Sequence, residues 1–106
     1  MFKKIATTSP QKVHQMMEQK DHLTLLDVRT PEEYRQVRIE GAKLLPVDEI
    51  ERRASQELPD KQAIILVYCQ SGMRARNAVK KLMRMGYTNV SSFGGIMNWP
   101  YKTIGG

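Results

Sequence analysis

The sequence predicts an α/β fold in which about five mostly parallel strands form a central sheet flanked by helices. Short apolar runs alternate with segments of helical periodicity along the 106 residues, and this alternation is typical of a layered fold with a parallel sheet. The run AIILVY at residues 63–68 is almost continuously apolar, which indicates a strand covered on both faces. The length suits a single domain, residues 1–106, and 41% apolar with 26% charged residues is the composition of a soluble globular protein.

The first predicted elements are a short strand and a helix. Residues 5–8 are read as the strand. Ser9 and Pro10 then suit the N-cap and the first position of a helix. One face of that helix carries Val13, Met16, Met17 and Lys20, whose spacing predicts packing against the sheet. The apolar run LTLLDV at residues 23–28 predicts the second strand.

A capping box marks the second helix. Thr30 is followed three residues later by Glu33, so the hydroxyl and the carboxylate can satisfy each other's backbone amides. The sequence therefore predicts a helix from Pro31 to about Val37. The carboxylates of Glu32 and Glu33 suit its positive end, and we favour this structural role over a catalytic carboxylate pair.

The middle of the chain predicts shorter elements. Gly41 marks a turn, and residues 42–45 suit a short strand. Asp48 is the predicted cap of a helix over residues 49–55, in which acidic side chains precede basic ones and so match the helix dipole.

The last third repeats the pattern around the apolar strand at residues 63–68. A helix is predicted from Met73 to about Met85, with a core face made by Ala75, Ala78, Val79 and Leu82. Gly86 suits the position after the helix end. Residues 89–93 predict the final strand, and residues 96–99 predict one closing turn.

The charge and the apolar pattern limit the classes of partner. The formal net charge is +6, which raises the local concentration of anionic substrates. Aromatic residues are scattered and no dense basic tail is present, so nucleic-acid binding is not predicted. No apolar run approaches the roughly 18–20 residues that a membrane span needs. The start, Met1–Lys4, is basic but leads into a short polar stretch, so we expect no signal peptide and a cytoplasmic protein.

Metal and disulfide chemistry are not expected. Cys69 is the only cysteine, which leaves no internal disulfide, no zinc site of several cysteines and no resolving thiol. His14 and His22 stand in polar stretches near the start of the chain, where solvated surface is the simpler reading. We therefore expect no metal and no organic cofactor.

The segment that carries chemistry begins at Cys69. This residue ends the most apolar strand, and ligands bind beyond the carboxyl ends of strands in open α/β sheets. The helix that starts near Met73, together with Arg74 and Arg76, favours the thiolate form of a cysteine placed there. Gly72 allows successive amides to turn inward around an anionic sulfur. The alternative is an inert structural cysteine, which predicts apolar surroundings.

These segments resemble the rhodanese family, from about Lys3 to Tyr101. The family's LDVRTPEEY segment is similar to residues 26–34, and its I-x-GA turn is similar to residues 39–42. Its active-site strand and loop are similar to residues 67–74, VYCQSGMR. Its closing segments are similar to residues 86–87 and 94–99. Five segments in the same order are far more specific than a lone C-x-x-G-x-R.

The resemblance implies a sulfurtransferase with a rhodanese-like three-layer fold. Cys69 is then the nucleophile that takes sulfur as a persulfide from a small anionic donor such as thiosulfate. The acceptor is cyanide, a low-molecular-weight thiol or a partner protein, and a monomer is sufficient. The residues expected to bind the persulfide sulfur or the donor are Gln70, Ser71, Gly72, Met73 and Arg74. Asp27 and Arg29 are expected to brace this loop or line the pocket, with helix entry as an equally good explanation.

Residues 37–38 depart from the family pattern, and residues 105–106 share a feature with proteins of another fold. Many family members have Gly-His before the isoleucine of the I-x-GA turn, whereas this chain has Val37 and Arg38, which puts donor preference in doubt. The chain also ends in Gly105-Gly106, as do sulfur carriers of a ubiquitin-like fold. The rest of the sequence does not resemble that fold, so a flexible tail is predicted.

Two other functions stay open. Cysteine phosphatases and arsenate reductases on a related fold have a longer loop with arginine one position later, where this chain has Ala75. A non-catalytic module that binds a partner or senses redox state is the second alternative, although inactive rhodanese-like domains usually lack the cysteine and the chain has no resolving thiol.

Overall fold

A computed structural model describes residues 5–19 and 22–106. The basic start Met1–Lys4 and Lys20 of the predicted helix face lie outside these residues. The elements, in chain order, are α1 (Pro10–Glu18), β1 (Leu23–Asp27), α2 (Pro31–Gln36), β2 (Lys43–Leu44), α3 (Ile50–Glu57), β3 (Ile64–Cys69), α4 (Met73–Arg84) and β4 (Val90–Gly95). Short 3-10 turns precede α3 at Val47–Glu49 and follow β4 at Ile96–Asn98. None of the helices in the described part of the chain has the length and apolar character to cross a membrane.

The sheet is parallel throughout, with the strand order β2-β1-β3-β4. The predicted α/β fold with helices flanking a parallel sheet is confirmed, but the described residues contain four strands rather than about five. The missing strand is residues 5–8, where only Thr7 forms a bridge, to Ser92 of β4. Helix α1 begins two residues after Thr8, which limits the pairing on that side.

The core has two parts, one on each face of the sheet. Along β3, Ile65, Val67 and Cys69 belong to the part covered by α3 and α4. Leu66 and Tyr68 belong to the other part, with Val13 of α1 and the aromatic side chains after β4. This alternation is the period of a strand, and it confirms that β3 is covered on both faces.

The predicted helix ends are confirmed at three places. The Ser9 hydroxyl accepts from the Lys12 amide at 3.0 Å, and both halves of the Thr30–Glu33 capping box are formed. At the end of α4, Gly86 has φ +99°, a left-handed conformation that glycine adopts without strain. The helix therefore stops where the sequence predicted, and the chain turns into β4.

Asp48 does not cap α3, contrary to the prediction. Residues Val47–Glu49 form a 3-10 turn, α3 begins at Ile50, and no side chain caps it. The side chains of Val47 and Ile50 are buried in the core, so packing of these two residues sets the start of the helix. Asp48 is left exposed.

The C-terminal tail segment, residues 104–106, is paired with α2 rather than flexible. Ile104 and Arg38 form an antiparallel bridge with N···O distances of 2.7 and 2.8 Å, and the Gly106 amide donates to the Arg35 carbonyl at 3.2 Å. A Cβ on Gly105 would collide with the Gln36 carbonyl oxygen. The glycine therefore permits this close approach, which the sequence alone did not indicate.

The histidines differ from each other. His22 is exposed, as expected. His14 stacks on Tyr101 with ring centroids 3.7 Å apart and an interplanar angle of 3°, so it packs against the chain after β4 instead of facing only solvent. The sequence could not show this contact because the two residues are far apart along the chain.

Candidate active site

Cys69 is the last residue of β3 and lies beside Gly95 of β4, after an irregularity in the pairing. Its side chain is 1% exposed and belongs to the apolar core part under α3 and α4. The Gly72 amide donates to its sulfur at 3.0 Å. The thiol thus has apolar surroundings on the core side and a hydrogen-bond donor on the loop side.

Gly72 makes that hydrogen bond possible. It has φ +115° and is the N-cap of α4, so the chain reverses at this residue while its amide points back to Cys69. Helix α4 has 12 residues, and its positive pole lies next to the sulfur. Together, the amide and the helix pole favour negative charge on a sulfur atom at this position.

One amide of the Cys69 loop, defined as residues 69–74, contacts the thiol. Among the residues that the structure describes, the Gly72 amide is the one donor from which the Cys69 sulfur accepts a hydrogen bond. Gln70, Ser71 and Met73, which were also expected to bind the sulfur or the donor, are exposed. A role for these three residues in binding the sulfur or the donor stays a prediction.

Arg74 is held by Glu33 of α2. The two side chains form a bidentate ion pair, with N···O distances of 2.8 and 2.9 Å, and this geometry is the strongest form of such a pair. The hydrogen bond from Arg74 is the main reason that the pKa of Glu33 falls from 4.5 to about 2. Arg74 thus holds the loop to α2, and much of its charge is balanced there, so the expected part of Arg74 in donor binding stays a prediction.

Sequence reasoning assigned Glu33 only to the capping box and so missed its contact with the loop. The two residues are 41 positions apart, and no local pattern links them. The capping box does contain the useful signal, because it fixes the direction of the Glu33 side chain at the start of α2.

Asp27 and Arg29 form a second ion pair, at the end of β1. The Arg29 Nη2 atom lies 2.7 Å from Asp27 Oδ2, and the Arg29 Nε and backbone amide also donate to Asp27 at 3.0 Å. Both side chains are at most 1% exposed. Burial acts to lower the pKa of Arg29, but the hydrogen bond and charge of Asp27 outweigh it and the pKa is raised.

Arg29 also reaches the Cys69 loop. Its Nη1 donates to Gln70 Oε1 at 3.3 Å, and its Nη2 donates to the Val37 carbonyl at 2.6 Å. The pair therefore links the end of β1 both to the loop and to the end of α2. Tyr68 lies under the guanidinium, 5.6 Å from ring centroid to Arg29 Cζ, and burial raises the pKa of its phenol, helped by the charge of Asp27.

The end of β4 packs closely against the Cys69 loop at Gln70. A Cβ on Gly95 would collide with the Gln70 carbonyl, so only glycine permits this close approach. The same carbonyl accepts from the Met97 amide at 3.3 Å. Gly95 therefore lets the end of β4 pass close to the loop.

A cavity of about 350 Å³ opens beside the loop. Its lining is mostly small and hydroxyl-bearing, with one cation: Thr7, Thr8, Ser71, Gly72, Met73, Arg76, Ser92, Phe93 and Gly94. A larger cavity of about 590 Å³ lies at the end of α2, but no residue of the loop lines it. We assign the site to the smaller cavity because three loop residues, Ser71, Gly72 and Met73, form part of its wall.

The described residues provide no ready metal site. Between residues 5 and 106, masked positions aside, no three His, Cys, Asp or Glu side chains are grouped as metal ligands. The reactive candidate at this end of the sheet is the thiol itself.

Comparison with known proteins gives one consistent result. The profile of the Rhodanese-like domain family matches residues 9–101. Thiosulfate sulfurtransferase PspE of Escherichia coli is 39% identical over 71 residues, which is 67% of this chain and 68% of the relative. A sulfurtransferase of Allochromatium vinosum is 40% identical over 80 residues, covering 74% and 73% of the two chains. The solved rhodanese-like domain of the Anabaena sp. Alr3790 protein has a TM-score of 0.86 and 28% identity, covering 96% of this chain and 80% of that one.

Proposed function

Because the chain belongs to the rhodanese-like domain family, we propose that it is a sulfurtransferase in which Cys69 carries a sulfane sulfur as a persulfide. The general activity is supported by the family match and by relatives that are named sulfurtransferases. The observation that carries the finer proposal is the contact between the Cys69 sulfur and the Gly72 amide at the start of α4. In the thiolate the negative charge lies on this sulfur and the Gly72 amide stabilises it directly, whereas in the persulfide the charge lies on the outer sulfur, which the positive pole of α4 also favours.

The first half of the reaction loads the cysteine. The Cys69 thiolate attacks the outer sulfur of a small anionic donor such as thiosulfate, a new S–S bond forms, and the donor's own S–S bond breaks. Sulfite leaves with the electron pair of that bond, and Cys69 is left as a persulfide anion. This is covalent catalysis by an activated nucleophile.

The second half unloads the cysteine. A thiophilic acceptor (cyanide, a small thiol or a thiol on a partner protein) attacks the outer sulfur of the persulfide. The S–S bond to Cys69 breaks and its electron pair returns to the Cys69 sulfur as thiolate. The cycle is neutral in redox terms, so it calls for no metal and no organic cofactor.

The surrounding residues position the loop and distribute charge. Arg74, through Glu33, and Arg29, through Gln70, connect the loop to α2 and to β1. These two contacts hold the backbone that presents the Gly72 amide. The positive pole of α4 and the net charge of +6 favour the approach of an anionic donor.

The test is the intact mass of the protein after mixing with thiosulfate. We expect the wild type to gain one sulfur atom, cyanide to remove it, and Cys69→Ser to gain none. Thiocyanate formed in the second step provides an independent measure of the same event. If the wild type keeps its mass with thiosulfate and with other sulfane donors, the proposal is wrong.

One observation favours a second candidate, a non-catalytic partner-binding module. Cys69 is almost completely buried, as an inert core cysteine is. The same mass measurement separates the two functions, because a module of this kind takes up no sulfur from any donor.

A further inference from the structure

One exposed apolar side chain belongs to the Cys69 loop and another to the segment bonded to that loop. Among the described residues, the exposed large apolar side chains are Met73, 79% exposed, and Met97, 65% exposed. Met73 is the loop residue that begins α4, and the Met97 amide is bonded to the loop at Gln70. Single exposed apolar residues need no explanation, but a grouping at a functional loop indicates contact with a partner. Methionine suits such a surface because its flexible thioether adapts to different partners.

A cation with a free charge shares a cavity wall with Met73. Arg76 is exposed and lines the 350 Å³ cavity together with Met73 and Ser71. No carboxylate in the described part of the chain forms an ion pair with Arg76. Arg74, by contrast, is balanced by Glu33. The cation at this edge of the loop that remains available to another molecule is therefore Arg76, and hydroxyl groups in the same cavity can add hydrogen bonds to a bound carboxylate.

The burial of Cys69 restricts what can reach it. At 1% exposure, its sulfur admits at most a small ion or a narrow group at the tip of an extended segment. A thiol set in the flat surface of a folded domain would not reach it without displacing the loop. An acceptor cysteine on an extended segment satisfies this restriction.

We propose that Met73, Arg76 and Met97, which we call the rim, dock an acidic, partly apolar protein segment that carries the acceptor thiol. This inference rests on the proposed function and names the class of its acceptor. The methionines contact the apolar residues of the segment, and Arg76 binds its carboxylates. The acceptor thiolate attacks the outer sulfur of the Cys69 persulfide, the S–S bond to Cys69 breaks, and the electron pair returns to the Cys69 sulfur.

The experiment follows the unloading step alone. Cys69 is first converted to the persulfide with thiosulfate, and excess donor is removed. The acceptors are dithiothreitol, which is uncharged at pH 7, and two synthetic peptides of equal length, in which one cysteine is flanked by leucine and either glutamate or lysine. The quantity compared is the ratio of the peptide unloading rate to the dithiothreitol unloading rate, which cancels any change in the persulfide itself.

We expect the glutamate peptide to accept sulfur faster than the lysine peptide. Arg76→Gln should lower the glutamate-peptide ratio by about fivefold, the effect of one exposed ion pair, and Met97→Ser should lower the ratios of both peptides. Arg84→Gln is the matched control, since Arg84 is an exposed arginine at the far end of the same helix, and its ratio should equal that of the wild type.

The outcomes distinguish the two proposals. A protein that takes up no sulfur contradicts the proposed function and, with it, the rim as an acceptor site. A protein that loads sulfur but treats both peptides alike, or responds equally to Arg76→Gln and Arg84→Gln, contradicts the rim alone.

Discussion

Glu33 is the residue on which the geometry of the loop most directly depends. Its carboxylate completes the capping box of α2 and also accepts both guanidinium contacts from Arg74. One side chain therefore fixes the start of a helix and one end of the Cys69 loop. A consequence is that Arg74 serves mainly to hold the loop, whereas the field acting on an incoming anion comes from the α4 pole and from Arg76.

The Glu33–Arg74 ion pair gives stability a defined dependence on pH. The pKa of Glu33 in the folded protein is about 2, below the ordinary 4.5, so its contribution is fully present above about pH 4.5 and disappears as the pH falls toward 2. Glu33→Gln keeps the capping box and removes the charge. We expect it to cost about 1 kcal/mol at pH 7, because the pair is partly exposed and screened, and to cost nothing near pH 2.

Urea unfolding of both proteins between pH 7 and 2 measures this difference. Glu32→Gln is the control, since Glu32 is an exposed carboxylate in the same turn and should have a much smaller effect at every pH. A difference between wild type and Glu33→Gln that stays constant down to pH 2 would contradict the assigned cause of the pKa shift.

The buried pair of Asp27 and Arg29 predicts a non-additive result. Removal of one partner leaves the other as a buried, uncompensated charge, so Asp27→Leu and Arg29→Met should each cost about 3–5 kcal/mol. The double variant leaves no charge behind and should be more stable than either single variant. Denaturant unfolding of the three proteins is the measurement, and a double variant as unstable as the sum of the singles would show that the two residues act independently.

At the scale of elements, the sequence predicts what depends on local contacts. The caps of α1, α2 and α4, the core face of α4 and the apolar strand β3 all have signals within a few residues of themselves. The start of α3 was misplaced because burial of Val47 and Ile50 outweighed the capping preference of Asp48. The contacts that complete the site, Arg29 with Gln70 and Glu33 with Arg74, each join residues 41 positions apart, and no periodicity in one sequence predicts such contacts.

The pairing of the tail segment, residues 104–106, with the end of α2 is another contact that local sequence does not predict. Its pairing with the end of α2 requires Gly105 to pass against the Gln36 carbonyl. Gly105→Ala should therefore separate residues 104–106 from α2 and expose the Arg38 amide, which is bonded to Ile104 at 2.7 Å. We expect much faster hydrogen exchange at Arg38, with little change at the β3 amides.

Gly106→Ala is the matched control for that exchange experiment. A Cβ at this position meets no atom within 4 Å. The φ of +101° at Gly106 disfavours alanine, but rotation about this φ moves only atoms after the Gly106 amide, so the bridge at Ile104 stays in place and Arg38 should keep its protection. If the Arg38 amide exchanges as slowly in Gly105→Ala as in the wild type, the close approach at Gln36 relaxes without loss of the bridge.

At the scale of the whole molecule, the positive charge and the position of the thiol act together. The net charge is the excess of 17 basic over 11 acidic residues, and the sheet directs the carboxyl ends of β1, β3 and β4 toward one edge. The buried thiol lies at that edge beside the positive pole of α4. The net charge of the molecule thus attracts an anion over a long range, and the loop stabilises it at short range. These two contributions to anion binding can be separated by experiment.

Ionic strength separates these two contributions. Salt screens the long-range attraction, since the Debye length falls from about 30 Å at 0.01 M to about 10 Å at 0.1 M, but it barely affects the short contact between Gly72 and the sulfur. Raising the ionic strength over this range should increase the KM for thiosulfate several-fold while kcat stays constant. Transfer from the persulfide to an uncharged thiol such as dithiothreitol at pH 7 should not respond. A fall in kcat with constant KM would instead locate the salt effect in the loop itself, and the attraction by net charge would then have no part in donor binding.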